Sequence, residues 1–334
     1  MIVDAHAHFV PSALLAELAG GRHGFASVNA SVDPSGVRVS FAGMDAKRPV
    51  MAAMSDIERR EKWLAARGID RQVVGGWLDL FGYDLGADEG ADWSRYLNAH
   101  MLRAVRDVPF LVPLATVPMQ SGRDAAAVLG EALDAGFHGA MIGTQPKGAS
   151  GVLDDPDLDP FWQMASDRRA TLFVHPTFGV RDDRLKAYGL VSAIGRLTDT
   201  TIAMARLLYS GHLTRYPGVR LVISHGGATL PMALGRMRRS FATSPANNAD
   251  PLDGFSSLYF DSVVYDPKVL RFVCDVAGAG RVLMGTDEPF VIAEQEPVRF
   301  VRSCELGAAA EAAILGDTAA RLFSISPDVA SGQG

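Results

Sequence analysis

Cysteine is scarce in this sequence, and it contains no long apolar run and no long basic run. The two cysteines, Cys274 and Cys304, cannot form a disulfide framework, so a reduced, cytoplasmic setting is expected. No apolar stretch reaches the ~18 residues that a membrane span needs. The densest basic segment, residues 236–239, is short, and the net charge of −6 argues against nucleic acid or an acidic membrane as a partner. We therefore expect a soluble, intracellular protein.

The composition indicates a well-filled interior. The chain has 334 residues, of which 48% are hydrophobic, and its mean hydropathy is +0.10. This length is typical of one α/β barrel with an insertion, and the composition carries no sign of disorder over most of the chain. We therefore expect a single barrel domain over residues 1–325.

Apolar, β-rich runs alternate with helical patterns along the chain. Eight runs read as strands, at residues 2–9, 71–77, 110–118, 139–144, 171–176, 220–225, 258–264 and 281–286. Helical patterns lie between them, at residues 56–67, 94–108, 122–135, 159–168, 203–215 and 267–276. Alternation of this kind implies a parallel sheet, and eight units at this length imply closure into an α/β, (β/α)8 TIM-type barrel.

The first connection is longer than barrel loops usually are. Residues 13–47 contain two alternating segments separated by Asp33-Pro34-Ser35-Gly36, which is the pattern of a β-hairpin. We expect this small β insertion to lie over the mouth of the barrel. The Ser/Gly/Pro-rich tail, residues 326–334, is expected to be flexible.

Histidines and one aspartate stand at the ends of predicted strands. His6 and His8 are two apart in strand one and so point to the same side. His175, His225 and Asp287 end or follow strands five, six and eight, and the carboxyl ends of barrel strands share one face. Each residue alone has an ordinary reading, as a strand terminator, a turn or a helix cap. Together they predict a metal site.

These positions carry a resemblance to a known family. The pattern Asp4-x-His6-x-His8, with His175, His225 and Asp287, resembles the amidohydrolase superfamily, in particular its branch of aminocarboxymuconate semialdehyde decarboxylase and related aromatic-acid decarboxylases. The likeness extends over nearly the whole chain. The other segments that carry it are residues 112–120, 141–144, 172–176, 225–227, 234–236 and 285–290.

The resemblance implies a mononuclear metal centre. His6, His8, His175 and Asp287 match the ligands of one divalent ion, with zinc first and manganese, iron or cobalt as alternatives, and a water completes the coordination. His225 matches the position that acts as acid/base beside that water, so His225 and Asp287 are the expected catalytic residues. Strand four has Gly143-Thr144-Gln145 where binuclear members carry a bridging lysine, which favours one ion.

The resemblance also implies how the substrate is bound. Arg48 and Arg236 match two arginines that bind substrate carboxylates, and guanidinium groups suit that task. In the family the second arginine reaches the neighbouring subunit, so a homodimer is expected. Thr177 and Glu288 stand where the family often has tryptophan and tyrosine beside the metal. We expect these two residues to form the pocket wall and to alter substrate choice.

The expected activity is metal-dependent decarboxylation of a small acid, dicarboxylated and either aromatic or of the muconate type. A hydrolase or hydratase acting on a lactone, amide or activated double bond uses the same ion, water and base and is the alternative. A metal-stabilised binding protein without turnover is a third reading, but it would be expected to have lost His225 or Asp287.

Overall fold

The computed structural model describes residues 1–45, 48–148, 151–245 and 248–326, and these residues form a (β/α)8 barrel. Its strands in chain order are β1 (Val3–His8), β2 (Val28–Asp33), β3 (Gly36–Phe41), β4 (Arg71–Gly75), β5 (Leu111–Pro113), β6 (Ala140–Gly143), β7 (Thr171–His175), β8 (Arg220–Ile223), β9 (Leu258–Asp261) and β10 (Val282–Leu283). The barrel strands are shorter than predicted, but all eight lie in the predicted runs. The predicted barrel is confirmed.

The barrel is closed by two junctions between parallel sheets. Strands β1, β4 and β5 form one sheet, and β6 to β10 form the other in sequential order. Ala115 pairs with Ala140 at one junction. At the other, the backbone N–H of Ala5 donates to the carbonyl of Met284 at 2.8 Å. Closure brings the first and last strands together, so residues from both ends of the sequence meet at one place.

Thirteen described α-helices lie around the strands, and only some of them begin at a side-chain cap. They are α1 (Ser12–Ala19), α2 (Ile57–Arg67), α3 (Ala87–Val105), α4 (Gly122–Asp134), α5 (Asp159–Asp167), α6 (Arg196–Tyr209), α7 (His212–Arg215), α8 (Leu230–Thr243), α9 (Pro251–Phe255), α10 (Pro267–Ala277), α11 (Pro297–Ser303), α12 (Ala308–Ala312) and α13 (Thr318–Leu322). Helix α2 has caps at both ends. Asp56 accepts the backbone N–H of Arg59 at its start, and Gly68, with a φ of 65°, ends it.

Two predicted helices differ clearly from the structure, and one of them, α3, begins at Ala87 and not at residue 94. Residues 203–215 belong to two helices, because Gly211 adopts a φ of 71° between α6 and α7. Helix α6 also begins earlier, at Arg196, directly after a wider π-helical turn over Val191–Gly195. Wider turns of this kind often occur at functional sites.

The first connection contains an antiparallel hairpin made of β2 and β3. The hairpin packs in a second hydrophobic core, separate from that of the barrel, in which Val28, Val39 and Phe41 lie with Leu14 of α1 and Trp93 of α3. The large cavity at the barrel mouth has no lining residue from β2 or β3. The hairpin therefore packs against helices α1 and α3, and the position of the insertion over the barrel mouth stays a prediction.

Two parts of the sequence predictions lie outside the described residues. One is the end of the predicted insertion, residues 46–47, and the other is residues 327–334 of the predicted tail. Among the helices that the structure describes, none combines the length and the apolar character that crossing a membrane requires.

Candidate active site

Five side chains converge at the carboxyl ends of the barrel strands. Ligand atoms of His6, His175, His225 and Asp287 all lie within 4.8 Å of one another. The fifth residue, His8, places its Nε2 3.1 Å from Oδ1 of Asp287, and Nε2 of His6 is 3.3 Å from the same oxygen. The structure thus brings together every metal-site residue predicted from the sequence.

The three histidines on β1 and β7 share one orientation. Nδ1 of each ring lies against an acceptor, so a neutral ring carries its proton on Nδ1 and leaves the Nε2 lone pair available to a cation. The acceptors are the Asp261 carboxylate for His6 at 2.6 Å, the Gly76 carbonyl for His8 at 3.1 Å and the Pro176 carbonyl for His175 at 2.9 Å. Partners of this kind are typical of imidazoles that bind metals through the other nitrogen.

The free nitrogens fit a divalent cation. Nε2 of His6 and Nε2 of His175 are buried and have no hydrogen-bond partner among the described residues. The Nε2 lone pairs of His6 and His8 both face Oδ1 of Asp287, which is itself an acceptor. Acceptors that face each other in a buried place repel unless a proton or a cation lies between them. A set of imidazole nitrogens and one carboxylate oxygen suits zinc and similar ions.

The electrostatics of the cluster favour a positive charge. Burial lowers the pKa of His8, and burial together with the neighbouring histidines lowers the pKa of His175 well below its ordinary value, which keeps both rings neutral. Burial alone would raise the pKa of Asp287, but the charge of His6 and contacts with His225 and His8 hold it well below the ordinary value. Asp287 is therefore a carboxylate, the form that binds metals.

The loops that carry the last two residues have unusual backbone conformations. His225 has a φ of 56° and Asp287 a φ of 66°, a region in which side chains other than glycine are uncommon. Strain of this type concentrates at functional sites. Before Asp287, a side chain on Gly285 would come within 2.9 Å of the Cβ of His6. Glycine at this position lets the strand that precedes Asp287 approach β1 closely.

A cavity of about 1030 Å³ opens above the cluster. Its ionisable lining residues, apart from a tyrosine, are Arg48, Asp79, Arg196, His225 and Asp287. Most of the remaining lining side chains are apolar and include Met51, Phe178, Leu197, Val263, Phe290 and Ile292. This combination accommodates a small molecule with an apolar body and acidic groups.

Arg48 lines this cavity as predicted, but its guanidinium already has a partner. Its Nε lies 3.0 Å from Oδ2 of Asp79, and its Nη2 lies 3.3 Å from Oδ1. Two of its nitrogens are therefore bound to one carboxylate of the same chain.

Two predicted wall residues do not line the large cavity. Thr177 is buried over Gly143 and lines a small neighbouring cleft, because its chain turns back over β6. Glu288 is 1% exposed, and its carboxylate accepts a hydrogen bond from Nη1 of Arg59 on α2 at 2.5 Å. Neither side chain is among the lining residues of the large cavity, and their role in substrate choice stays a prediction.

Arg236 lies on an exposed face of α8 and is not among the lining residues of the cavity. Met232, one turn earlier on the same helix, is 79% exposed. Within one chain, Arg236 and the cavity are therefore separate.

The sequence predictions missed two residues of this region. Asp261 holds Nδ1 of His6, and a signal was available because it is a carboxylate within the predicted strand 258–264, although only the structure shows that β9 ends at this residue. Arg196 lines the cavity from the start of α6, and no sequence pattern pointed to it, since it precedes the predicted helix 203–215.

Comparison with known proteins identifies the family of this chain. A family model described as Amidohydrolase matches residues 3–325. Among curated relatives, 2-amino-3-carboxymuconate-6-semialdehyde decarboxylase of Dictyostelium discoideum is 28% identical, over 78% of this chain and 74% of its own length. A 2-keto-4-carboxy-3-hexenedioate hydratase of a Sphingobium species is 24% identical, over 72% of this chain and 73% of its own.

Solved structures share the fold over almost the whole chain. A 5-carboxyvanillate decarboxylase of Sphingomonas paucimobilis has a TM-score of 0.80 at 22% identity, covering 97% of this chain and 99% of its own. A dihydroxybenzoic acid decarboxylase of a Polaromonas species, with manganese and 2-nitroresorcinol bound, has a TM-score of 0.77 at 19% identity, covering 97% and 96%. The chain belongs to the amidohydrolase family and, in its decarboxylase branch, is a carboxy-lyase.

Proposed function

We propose that this enzyme removes CO₂ from a small aromatic or muconate-type acid that carries a second acidic group. The observation that carries the proposal is the position of the His/Asp cluster at the base of a largely apolar cavity with guanidinium groups on its wall. In the reaction, the bond between the carboxylate carbon and the substrate breaks, CO₂ leaves, and one proton takes its place on the substrate carbon.

His6, His8, His175 and Asp287 are the proposed ligands of one divalent ion. Zinc is the first choice, with manganese, iron or cobalt as alternatives, and the manganese bound by the Polaromonas enzyme supports a site of this kind. When bound, such an ion supplies a Lewis acid that orients anionic groups of the substrate. Asp261 positions His6 through Nδ1.

His225 is the proposed proton donor. Its Nε2 lies 3.7 Å from Oδ2 of Asp287, and its side chain borders the cavity, so it faces both the metal ligand and the substrate space. Histidine is the side chain that most often donates or accepts a proton in enzyme active sites. Delivery of its proton to the substrate carbon interrupts conjugation, and loss of CO₂ restores it.

The proposed working unit is a homodimer in which Arg236 reaches the site of the neighbouring subunit. Its place on an exposed face of α8, one turn from exposed Met232, supports an interface on this side. A guanidinium group from a second subunit would then complete the binding of a dicarboxylate.

Hydration of an activated double bond is the second candidate, and the similarity to the Sphingobium hydratase favours including it. The decisive experiment incubates metal-loaded enzyme with carboxylated aromatics and muconate-type acids and measures CO₂ and the mass of the product. Decarboxylation predicts one CO₂ per substrate consumed. A product that retains every carbon and gains oxygen from water contradicts decarboxylation and supports hydration or hydrolysis.

A further inference from the structure

Besides His225 and Asp287, the cavity is lined by two guanidinium groups, those of Arg48 and Arg196, and by the carboxylate of Asp79. The carboxylate engages only one of the two, because Arg48 directs Nε and Nη2 to it at 3.0 and 3.3 Å. This bidentate contact uses the atoms with which an arginine grips a carboxylate most firmly. Arg48 is thus largely committed within its own chain.

Arg196 is the guanidinium that has no such partner. In the described part of the chain, the guanidinium of Arg196 makes no hydrogen bond and no ion pair. Its Nε is buried and has no partner. Burial and the nearby charge of Arg48 both lower the pKa of Arg196, although Asp79 and Asp287 oppose the shift. Arg196 as a whole is half-buried, and its buried Nε, which has no partner, gains a hydrogen bond when an anion lies against the guanidinium.

The backbone around Arg196 is held in a fixed place relative to the metal cluster. The N–H of Val180 donates to the carbonyl of Gly195 at 3.1 Å. Gly179 packs so closely that a side chain there would come within 3.0 Å of the backbone nitrogen of Arg196. These two residues follow β7, whose last residue is His175. The strand that carries a proposed ligand therefore also positions Arg196.

We infer that Arg196 binds the second acidic group of the substrate, and that it does so within its own subunit. The inference rests on the proposed function, because it assigns the part of the substrate that does not react. Within one chain, Arg196 then makes the main contact with this acidic group. Arg48 contributes less, because Asp79 already binds its guanidinium. A carboxylate on Arg196 leaves the rest of the substrate in the same cavity that contains His225 and Asp287.

The test measures binding of two unreactive probes to the metal-loaded enzyme by calorimetry. Isophthalate has two carboxylates and benzoate has one. We expect Arg196→Gln to weaken isophthalate binding about tenfold or more, the usual value of a hydrogen-bonded charge, and to change benzoate binding far less. Arg48→Gln is expected to weaken isophthalate less than Arg196→Gln does.

The matched control is Arg184→Gln, which removes the same charge from an 89% exposed side chain in the segment between β7 and α6. It is expected to bind both probes as the wild type does. Should Arg196→Gln not fold, Arg196→Lys replaces it and is expected to weaken isophthalate binding several-fold, because an ammonium group cannot form a bidentate pair.

Three results would overturn the inference. They are unchanged isophthalate binding in the Arg196 variant, an equal loss of affinity for both probes in that variant, and a larger loss of isophthalate affinity in Arg48→Gln. Wild-type enzyme that binds isophthalate no more tightly than benzoate would do the same. Because binding is measured without turnover, the result is independent of the CO₂ assay. An enzyme that binds as expected but releases no CO₂ contradicts the proposed function and leaves Arg196 as an anion-binding residue.

Discussion

The Asp261 carboxylate accepts a hydrogen bond from Nδ1 of His6 at 2.6 Å, and both side chains are fully buried. The other oxygen of Asp261 accepts the backbone N–H groups of Gly226 and Val263, at 2.8 and 3.1 Å. One carboxylate therefore connects the first strand, the loop after His225 and the loop after β9. This arrangement sets the tautomer of His6 and aims its Nε2 at Asp287.

Replacement of Asp261 should weaken metal binding without removing a ligand. We expect Asp261→Asn to lower the affinity for zinc or manganese by about 10- to 100-fold, since the orientation of His6 is no longer enforced. Competition with a coloured chelator measures the effect. Asp275→Asn, a change at an exposed position of α10, is the control. Equal affinity in both variants would show that Asp261 has no role in holding the metal.

Replacement of His225 should separate proton transfer from metal binding. We expect His225→Asn to retain one ion per chain while CO₂ release falls by about 100-fold or more, because the proton donor is lost. His6→Ala combined with His8→Ala should instead lose the ion. Metal content by elemental analysis and CO₂ release by a coupled assay distinguish the two cases. Loss of the ion from His225→Asn would make His225 a ligand.

Glu288 should affect stability more than substrate binding. Its buried carboxylate holds Arg59 of α2 and does not line the cavity, so Glu288→Gln is expected to cost about 1–3 kcal/mol of unfolding free energy. Urea denaturation measures this, and KM for the substrate should stay the same. Glu296→Gln, at an exposed position of the same region, should be close to neutral. A raised KM with unchanged stability would restore Glu288 to the pocket wall.

Arg236 should act across a subunit boundary. Neither Arg236→Ala nor a His6→Ala, His8→Ala variant is expected to be active alone. Mixed, dissociated and reassembled, the two should recover partial activity, because the hybrid contains one site with both the metal and the partner's arginine. Activity that stays absent in hybrids confirmed by mass spectrometry would contradict an intersubunit role.

Stability should depend on pH through Asp199. Burial raises the pKa of Asp199, although hydrogen bonds from Thr144 and Gln145 partly oppose the shift. A raised pKa in the folded state stabilises the protein below the unfolded value of about 4, and this contribution is lost as the pH rises through the folded value. The unfolding free energy of the wild type relative to Asp199→Asn should therefore fall as the pH rises above about 4. A difference that is constant with pH, in urea titrations, would refute this.

The sequence by itself determined the barrel and the five residues of the cluster. Alternating apolar runs and helical patterns constrain the local structure directly, and the carboxyl ends of parallel barrel strands must share a face, so His175 and Asp287 join His6 without any knowledge of coordinates. The resemblance to the amidohydrolase family then indicated its decarboxylase branch.

Only the tertiary structure decided which polar and charged side chains reach the cavity. Glu288 and Thr177 lie close in sequence to metal-site residues, yet the turns after β7 and β10 direct them elsewhere. Arg48 does line the cavity, but Asp79 binds its guanidinium. Arg196 lines the cavity from the first residue of α6, directly after the π-helical turn. Side-chain pairing across distant segments and the conformation of irregular loops depend on packing, and no local pattern in the sequence specifies them.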